Sequence, residues 1–182
     1  MNELGFYYQY KEMNYDEMKK YYLMAIEKGN SKAMNNLGYH YQYRGADYDK
    51  MKYYYQMAIK KGNSDSMKNL ALYYKYIEKD YDKMKEYFMM SFNYGNYLSM
   101  YHLSLYYKKI EKDYNQMIDC LILGAEKNII LCKDKINSFF RKKENPDYDL
   151  LVKCKIYLSE DNLEILQTDY YKLIEKFEKI EI

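Results

Sequence analysis

Apolar and aromatic positions recur along this chain at spacings of three and four residues, and the whole pattern then recurs every 33. From Met34 to Tyr43, the residues Met34, Leu37, Gly38 and Tyr41 share one helical face, which predicts a short first helix, helix A, of about three turns. From Tyr48 to Lys61, the residues Tyr48, Met51, Tyr54, Tyr55, Ala58 and Ile59 form one stripe and predict a longer second helix, helix B. Between them, Gly45 is expected to end helix A. Asp47 is expected to cap helix B, with Asp49 in its first turn complementing the helix dipole. Asn14, Asp80 and Asp113 occupy the same cap position in the other units. Helix B should stop at Gly29, Gly62 and Gly95, where the backbone turns left-handed, and at Asn128 in the fourth unit, because asparagine also tolerates that conformation.

The register holds over several columns. Leu4, Leu37, Leu70 and Leu103 align, with Ile136 fifth; Tyr8, Tyr41, Tyr74, Tyr107 and Phe140 align in the same way. Gly5, Gly38, Ala71 and Ser104 form a column of small residues, which predicts a close helix-helix approach inside helix A. Helix pairs of this length stack because none can bury its apolar face alone. The expected fold is therefore all-α: a right-handed α-α superhelix (solenoid) of four to five units in one domain. The expected units are 2–34, 35–67, 68–100, 101–132 and a degenerate 133–160. After Phe140 the register slips, and Pro146, Asp147 and Tyr148 open a degraded helix to about Leu158. Leu163, Leu166, Tyr170, Leu173, Ile174 and Phe177 then predict an amphipathic capping helix over 161–182.

Composition narrows the functional classes. Lys+Arg 29 against Asp+Glu 27 gives a net charge of +2, and the signs are interspersed, so the basic stripe expected of a nucleic-acid or membrane-surface protein is missing. No stretch approaches the ~20 apolar residues of a membrane span, and the first residues do not resemble a signal peptide. Three cysteines, Cys120, Cys132 and Cys154, do not make a disulfide framework, which implies a reduced, intracellular and cytoplasmic protein.

Candidate chemistry is sparse. His40 and His102 occupy non-equivalent repeat positions and are expected to be ordinary helix residues. The cysteines form no C-x-x-C pair with a nearby histidine and are expected to be small buried hydrophobes rather than zinc ligands. Asp16, Asp49 and Asp82 recur as first-turn residues, not as a catalytic couple. No phosphate-binding glycine motif or nucleophile elbow occurs. The expectation is a protein without catalytic residues, metal or cofactor.

The residues L-G-x-x-Y, followed by D-Y-x-K-M-x-x-Y-Y-x-x-A-I-x-x-G-N, resemble the Sel1-like repeat, a relative of the tetratricopeptide repeat. Leu37, Gly38 and Tyr41 match its helix A; Tyr54, Tyr55, Ala58, Ile59 and Gly62 match its helix B. The resemblance covers residues 2 to about 132. Met18, Met51, Met84 and Met117 stand where the family prefers alanine, and the 33-residue unit is shorter than is usual there. The lysine, asparagine and tyrosine bias is also similar to Sel1-like proteins of giant DNA viruses of amoebae, which would place the chain in host cytoplasm or virion. The ankyrin repeat shares the period, but its T-P-L-H motif is absent.

The resemblance implies an adaptor that binds a protein or peptide partner on the concave face made by the A helices. By analogy with tetratricopeptide superhelices that wall would comprise Asn2, Phe6, Gln9 and Tyr10, then Asn35, Tyr39, Gln42 and Tyr43. The third unit would supply Lys68, Leu72, Lys75 and Tyr76, and the fourth Tyr101, Leu105, Lys108 and Lys109. Such a wall begins aromatic and amide-rich and ends basic, so it would favour a segment acidic at one end. Two rivals are a self-associating structural protein and, less favoured at this net charge, a helical repeat reading single-stranded RNA.

Overall fold

The protein is described here by a computed structural model covering residues 1–140 together with Lys153, Cys154, Tyr157 and Leu158. The expected capping helix and most of the fifth unit lie outside the described residues. The helices are α1 Asn2–Tyr10, α2 Tyr15–Glu27, α3 Ser31–His40, α4 Tyr48–Lys60, α5 Ser64–Tyr73, α6 Tyr81–Asn93, α7 Leu98–Tyr106, α8 Tyr114–Glu126 and α9 Ile130–Phe140. No strand occurs among the described residues. Single π-turns, Tyr41–Gly45, Tyr74–Glu78 and Tyr107–Glu111, extend α3, α5 and α7. The fold is all-α, and odd- and even-numbered helices alternate as the A and B members of successive pairs. Helix A of the second unit begins at Ser31, earlier than the apolar stripe alone indicates. Two compact units divide the chain, Met1–Ser99 and Met100–Ile182.

In the first unit each A helix packs on its own B helix, α3 and α5 pack also on the preceding one, and the A helices touch in succession, α1 with α3 and α3 with α5. Leu37 is thereby buried against Met18, Tyr22 and Ala25 of α2. Leu4 occupies the same column in α1, where no earlier B helix is among the described residues, and it is 42% exposed.

Both joints between helices use one polar residue twice. Gly29 and Gly62 take positive φ, 77° and 75°, and Asn30 N–H donates to Ala25 O (3.1 Å), closing α2 as a Schellman turn. The side chain of that same Asn30 accepts from Ala33 N (2.9 Å) and caps α3; Asn63 does likewise for α5. At the other joint, Asp47 N–H donates to Tyr41 O (3.1 Å) while its carboxylate accepts from Lys50 N (3.0 Å) and caps α4. Asn14, Asp80 and Asp113 act in the same way for α2, α6 and α8. The left-handed residue at this joint is not Gly45, which closes the π-turn, but Ala46 (φ 46°), with Met13, Lys79 and Lys112 in the same column. The π-turn carries the helix one residue further, so the residue after Gly45 has to turn.

The small-residue column has a specific occupant. A Cβ on Gly38 would lie 2.7 Å from the ring of Tyr55, and Gly5 meets Tyr22 in the same way. What approaches these glycines is a buried aromatic ring of helix B, not another backbone. Tyr22 donates to Gln9 Oε1 (2.7 Å) and Tyr55 to Gln42 Oε1 (2.8 Å), so the buried hydroxyls are satisfied. In the third unit the ring is Phe88, the small residue has grown to Ala71, and the glutamine has become Lys75. A second ring pair closes each helix pair: Tyr8 stacks on Tyr21, Tyr41 on Tyr54 and Tyr74 on Tyr87, with centroids 5.3, 5.7 and 5.6 Å apart.

In the second unit Met117, Ile118, Leu121, Ala125, Cys132, Ile136, Phe139 and Phe140 share one core with Cys154. Gly124 stands against Cys132, whose sulfur occupies the space a Cβ at position 124 would need. The three cysteines are free and buried, as the lack of a disulfide framework predicts, and burial pushes their thiols up, to about 12 at Cys120, 11 at Cys132 and 12 at Cys154.

Two substitutions test this packing with opposite signs. Gly38→Leu should drive a side chain into the Tyr55 ring and destabilise the protein by about 1–3 kcal/mol in denaturant titration. Ala46→Gly should stabilise it by up to about 1 kcal/mol by relieving a left-handed non-glycine residue. Unchanged midpoints in both variants would contradict the packing described.

Candidate functional site

The A-helix face of the first unit is a surface of exposed rings. Phe6 and Tyr10, one turn apart on α1, have centroids 4.6 Å apart; Tyr39 and Tyr43, one unit later, 4.5 Å. Tyr76 continues the row and is 64% exposed, with the Lys75 ammonium 5.2 Å from its ring centre. The rows adjoin electrostatically. Partial burial raises the pKa of Tyr10, and Tyr39 adds to it; Tyr43 is raised by burial first, then by Tyr39 and Tyr76. Leu72 and Lys68 lie half-buried on the same helix series.

The amide positions expected beside these rings are turned to internal use. Gln9 is only 8% exposed, because the Tyr22 hydroxyl draws it into the core, and Gln42 is half-buried on Tyr55. Asn35 Oδ1 accepts from both Ser66 Oγ (2.9 Å) and Asn69 Nδ2 (3.1 Å), while Asn2 Oδ1 accepts from Asn36 Nδ2 (3.2 Å). These bonds join successive A helices. The exposed A-helix surface in this unit is accordingly aromatic rather than amide-rich. A sequence signal for this did exist: glutamine at 9 and 42 accompanies tyrosine at 22 and 55, and disappears where position 88 is phenylalanine.

The remaining expected wall residues, Tyr101, Leu105, Lys108 and the adjacent Lys109, come together in the second unit around a cavity of about 290 Å³. Its floor is Met117, Leu121 and Phe139, and Lys135 completes a rim of three lysines with Lys108 and Lys109. The Lys108 ammonium lies 5.9 Å from the Phe139 ring centre. Sequence reasoning placed Lys108 on the wall but did not foresee the depression, nor Lys135.

Among the described residues no group of three histidine, cysteine or carboxylate side chains could hold a metal ion, and no helix is long and apolar enough to cross a membrane.

No protein-family model matches the chain, and no curated protein does. Solved structures do. A Sel1 repeat protein from Oxalobacter formigenes superposes with a TM-score of 0.64 at 21% identity, covering 81% of this chain and 66% of that one. A protective antigen present in uropathogenic Escherichia coli strains, displaying an SLR fold, superposes with a TM-score of 0.62 at 17% identity, over 86% of this chain and 37% of that one. The chain thus spans under two thirds of the length of each. The likeness is one of fold, the α-α superhelix of helix pairs built by Sel1 repeat proteins.

His40 departs from its column. Tyr7, Tyr73 and Tyr106 each donate to a glutamate five residues on, Glu12 (2.5 Å), Glu78 (2.9 Å) and Glu111 (2.6 Å). In the second repeat the pair is His40 and Gly45, so the partner carboxylate is missing. His40 is 5% exposed, between Tyr15 and Tyr41, and its buried Nδ1 makes no hydrogen bond. Burial first, then Lys19 and Arg44, lower its pKa below 6.5. The unfolded chain then binds more protons than the folded one, so stability from this group is present above 6.5 and is lost as pH falls below it. Between neutral and mildly acidic pH, the thermal midpoint of the wild type should drop further than that of a His40→Tyr/Gly45→Glu double variant. Equal drops would remove His40 as the cause.

Proposed function

We propose that the chain is a protein-interaction scaffold without catalysis of its own, and that it holds an extended peptide or protein segment on its A-helix face. The observation that carries this reading is the row of exposed rings on successive A helices, Phe6 and Tyr10, Tyr39 and Tyr43, then Tyr76. Rings of this kind are rigid, large and amphipathic, and lose little conformational entropy when a partner packs on them. Their spacing follows the stacking of the repeats, so one segment lying across the A helices of the first unit meets a ring pair at each of the first two steps and Leu72 with Tyr76 at the third. The Sel1-type fold supports the reading, since its stacked pairs present one extended surface rather than a closed active site.

The binding residues in this reading are Phe6, Tyr10, Tyr39, Tyr43, Lys68, Leu72, Lys75 and Tyr76 in the first unit and, as a surface of its own, Tyr101, Leu105, Lys108 and Lys109 in the second. Asn35, Gln9 and Gln42 brace the surface from within. A reduced cytoplasmic setting, of host cell or virion for a viral protein, belongs to the same proposal and is supported by three unpaired thiols.

The test is affinity purification with mass spectrometry, comparing wild type with Tyr39→Ala/Tyr43→Ala. Those rings are exposed, so the variant should keep its fold by circular dichroism while selectively losing a protein recovered with the wild type. Recovery of the same proteins with both forms would overturn the A-face assignment. Light scattering showing a stable homo-oligomer that the variant breaks would favour self-association instead.

A further inference from the structure

The cavity of the second unit has a traceable origin. Positions 22, 55, 88 and 121 form one column, occupied by Tyr22, Tyr55, Phe88 and Leu121. In the first unit the ring fills the space beneath the small residue of helix A. In the second unit the ring is replaced by the shorter Leu121, opposite Ser104, and both line the opening. The exchange at position 108 follows from the same change. Gln9 and Gln42 accept from the phenols of Tyr22 and Tyr55, but Leu121 has no hydroxyl to offer, and the equivalent residue is Lys108.

What results is an apolar floor under a cationic rim. Lys108, Lys109 and Lys135 are exposed, and none of the three forms an ion pair with a described residue. The volume of about 290 Å³ equals roughly ten waters of bulk liquid, enough for one large side chain and too little for a helix. Three clustered ammonium groups favour anions, and the floor of Met117, Leu121 and Phe139 favours a hydrocarbon or a ring.

Resting on the scaffold reading above, we infer that this cavity is the anchor point for an acidic peptide segment: one bulky apolar side chain enters over Leu121, and flanking carboxylates pair with Lys108, Lys109 and Lys135. The anchor lies wholly within the second unit.

The probe is the fluorescein-labelled peptide Glu-Glu-Phe-Glu-Glu, with Glu-Glu-Gly-Glu-Glu and Gln-Gln-Phe-Gln-Gln as controls, followed by anisotropy at low salt. Binding should be weakened at least about tenfold in either control, because each lacks half of the recognition. Leu121→Phe, which restores the ring of the third unit, and Lys108→Gln/Lys109→Gln should each weaken the first peptide by a similar factor of about ten. Thermal midpoints report whether these variants remain folded. Independently of any variant, the peptide should shift the methyl NMR signals of Leu105, Met117 and Leu121 in the wild type. Equal binding of the glycine peptide, or no shift at those methyls, overturns the anchor. The Tyr39→Ala/Tyr43→Ala protein should bind the short peptide as well as the wild type does. Loss of its cellular partner without a peptide shift at Leu121 would sink the anchor alone; a shift at Leu121 with the partner retained would sink the A-face reading alone.

Discussion

The structure depends on a buried ring lying where a helix has no side chain. Tyr22 beneath Gly5 and Tyr55 beneath Gly38 bring helix A and helix B close enough to share one core. The arrangement is demanding on both partners. A glycine inside a helix costs about 1 kcal/mol against alanine, and a phenol buried without a partner would cost more. Gln9 and Gln42 remove the second penalty by accepting the phenolic hydrogens. Three columns are therefore coupled: a small residue, a ring and a hydrogen-bond acceptor. When the ring becomes Phe88 or Leu121, both companions change with it.

That coupling explains how a scaffold can vary along its length without changing its fold. The first two repeats are built on tyrosine and leave exposed rings on their A helices. Further along, the same frame carries smaller residues inside and lysines outside. Function in this reading is a by-product of how each unit fills its core, because the residue that changes inside alters what its neighbour on the A helix is free to do.

Much of this was legible beforehand. Helix pairs, the caps at Asn14, Asp47, Asp80 and Asp113, and the left-handed stops at Gly29, Gly62, Gly95 and Asn128 follow from local backbone chemistry, which acts over a few residues and leaves a plain mark in sequence. The second role of Asn30 and Asn63 as caps of the following helix is equally local, but an asparagine directly after a glycine reads equally well as part of the turn that stops the helix before it. The π-turn, which moves the turning residue from Gly45 to Ala46, was not legible, since nothing in a tyrosine-rich segment distinguishes one extra residue of helix. The burial of Gln9 was hidden for another reason. Its partner Tyr22 lies on a different helix, and periodicity along one helix cannot say what stands across from it. The cavity at Leu121 arises from a difference between units, and an average pattern erases differences.

The doubled use of Asn30 and Asn63 changes what can come apart. Ordinarily a helix frays from its own end, since the last hydrogen bonds hold nothing else. Here the residue whose amide closes one helix is the residue whose side chain opens the next, and Asp47 and Asp80 play the same double part at the intervening joints. Fraying of one end therefore uncaps its neighbour, and local opening becomes a shared event of two helices. On the scaffold reading, a segment held across several repeats would rest on a surface that opens in steps of a whole joint, so that its grip and its release would both be collective.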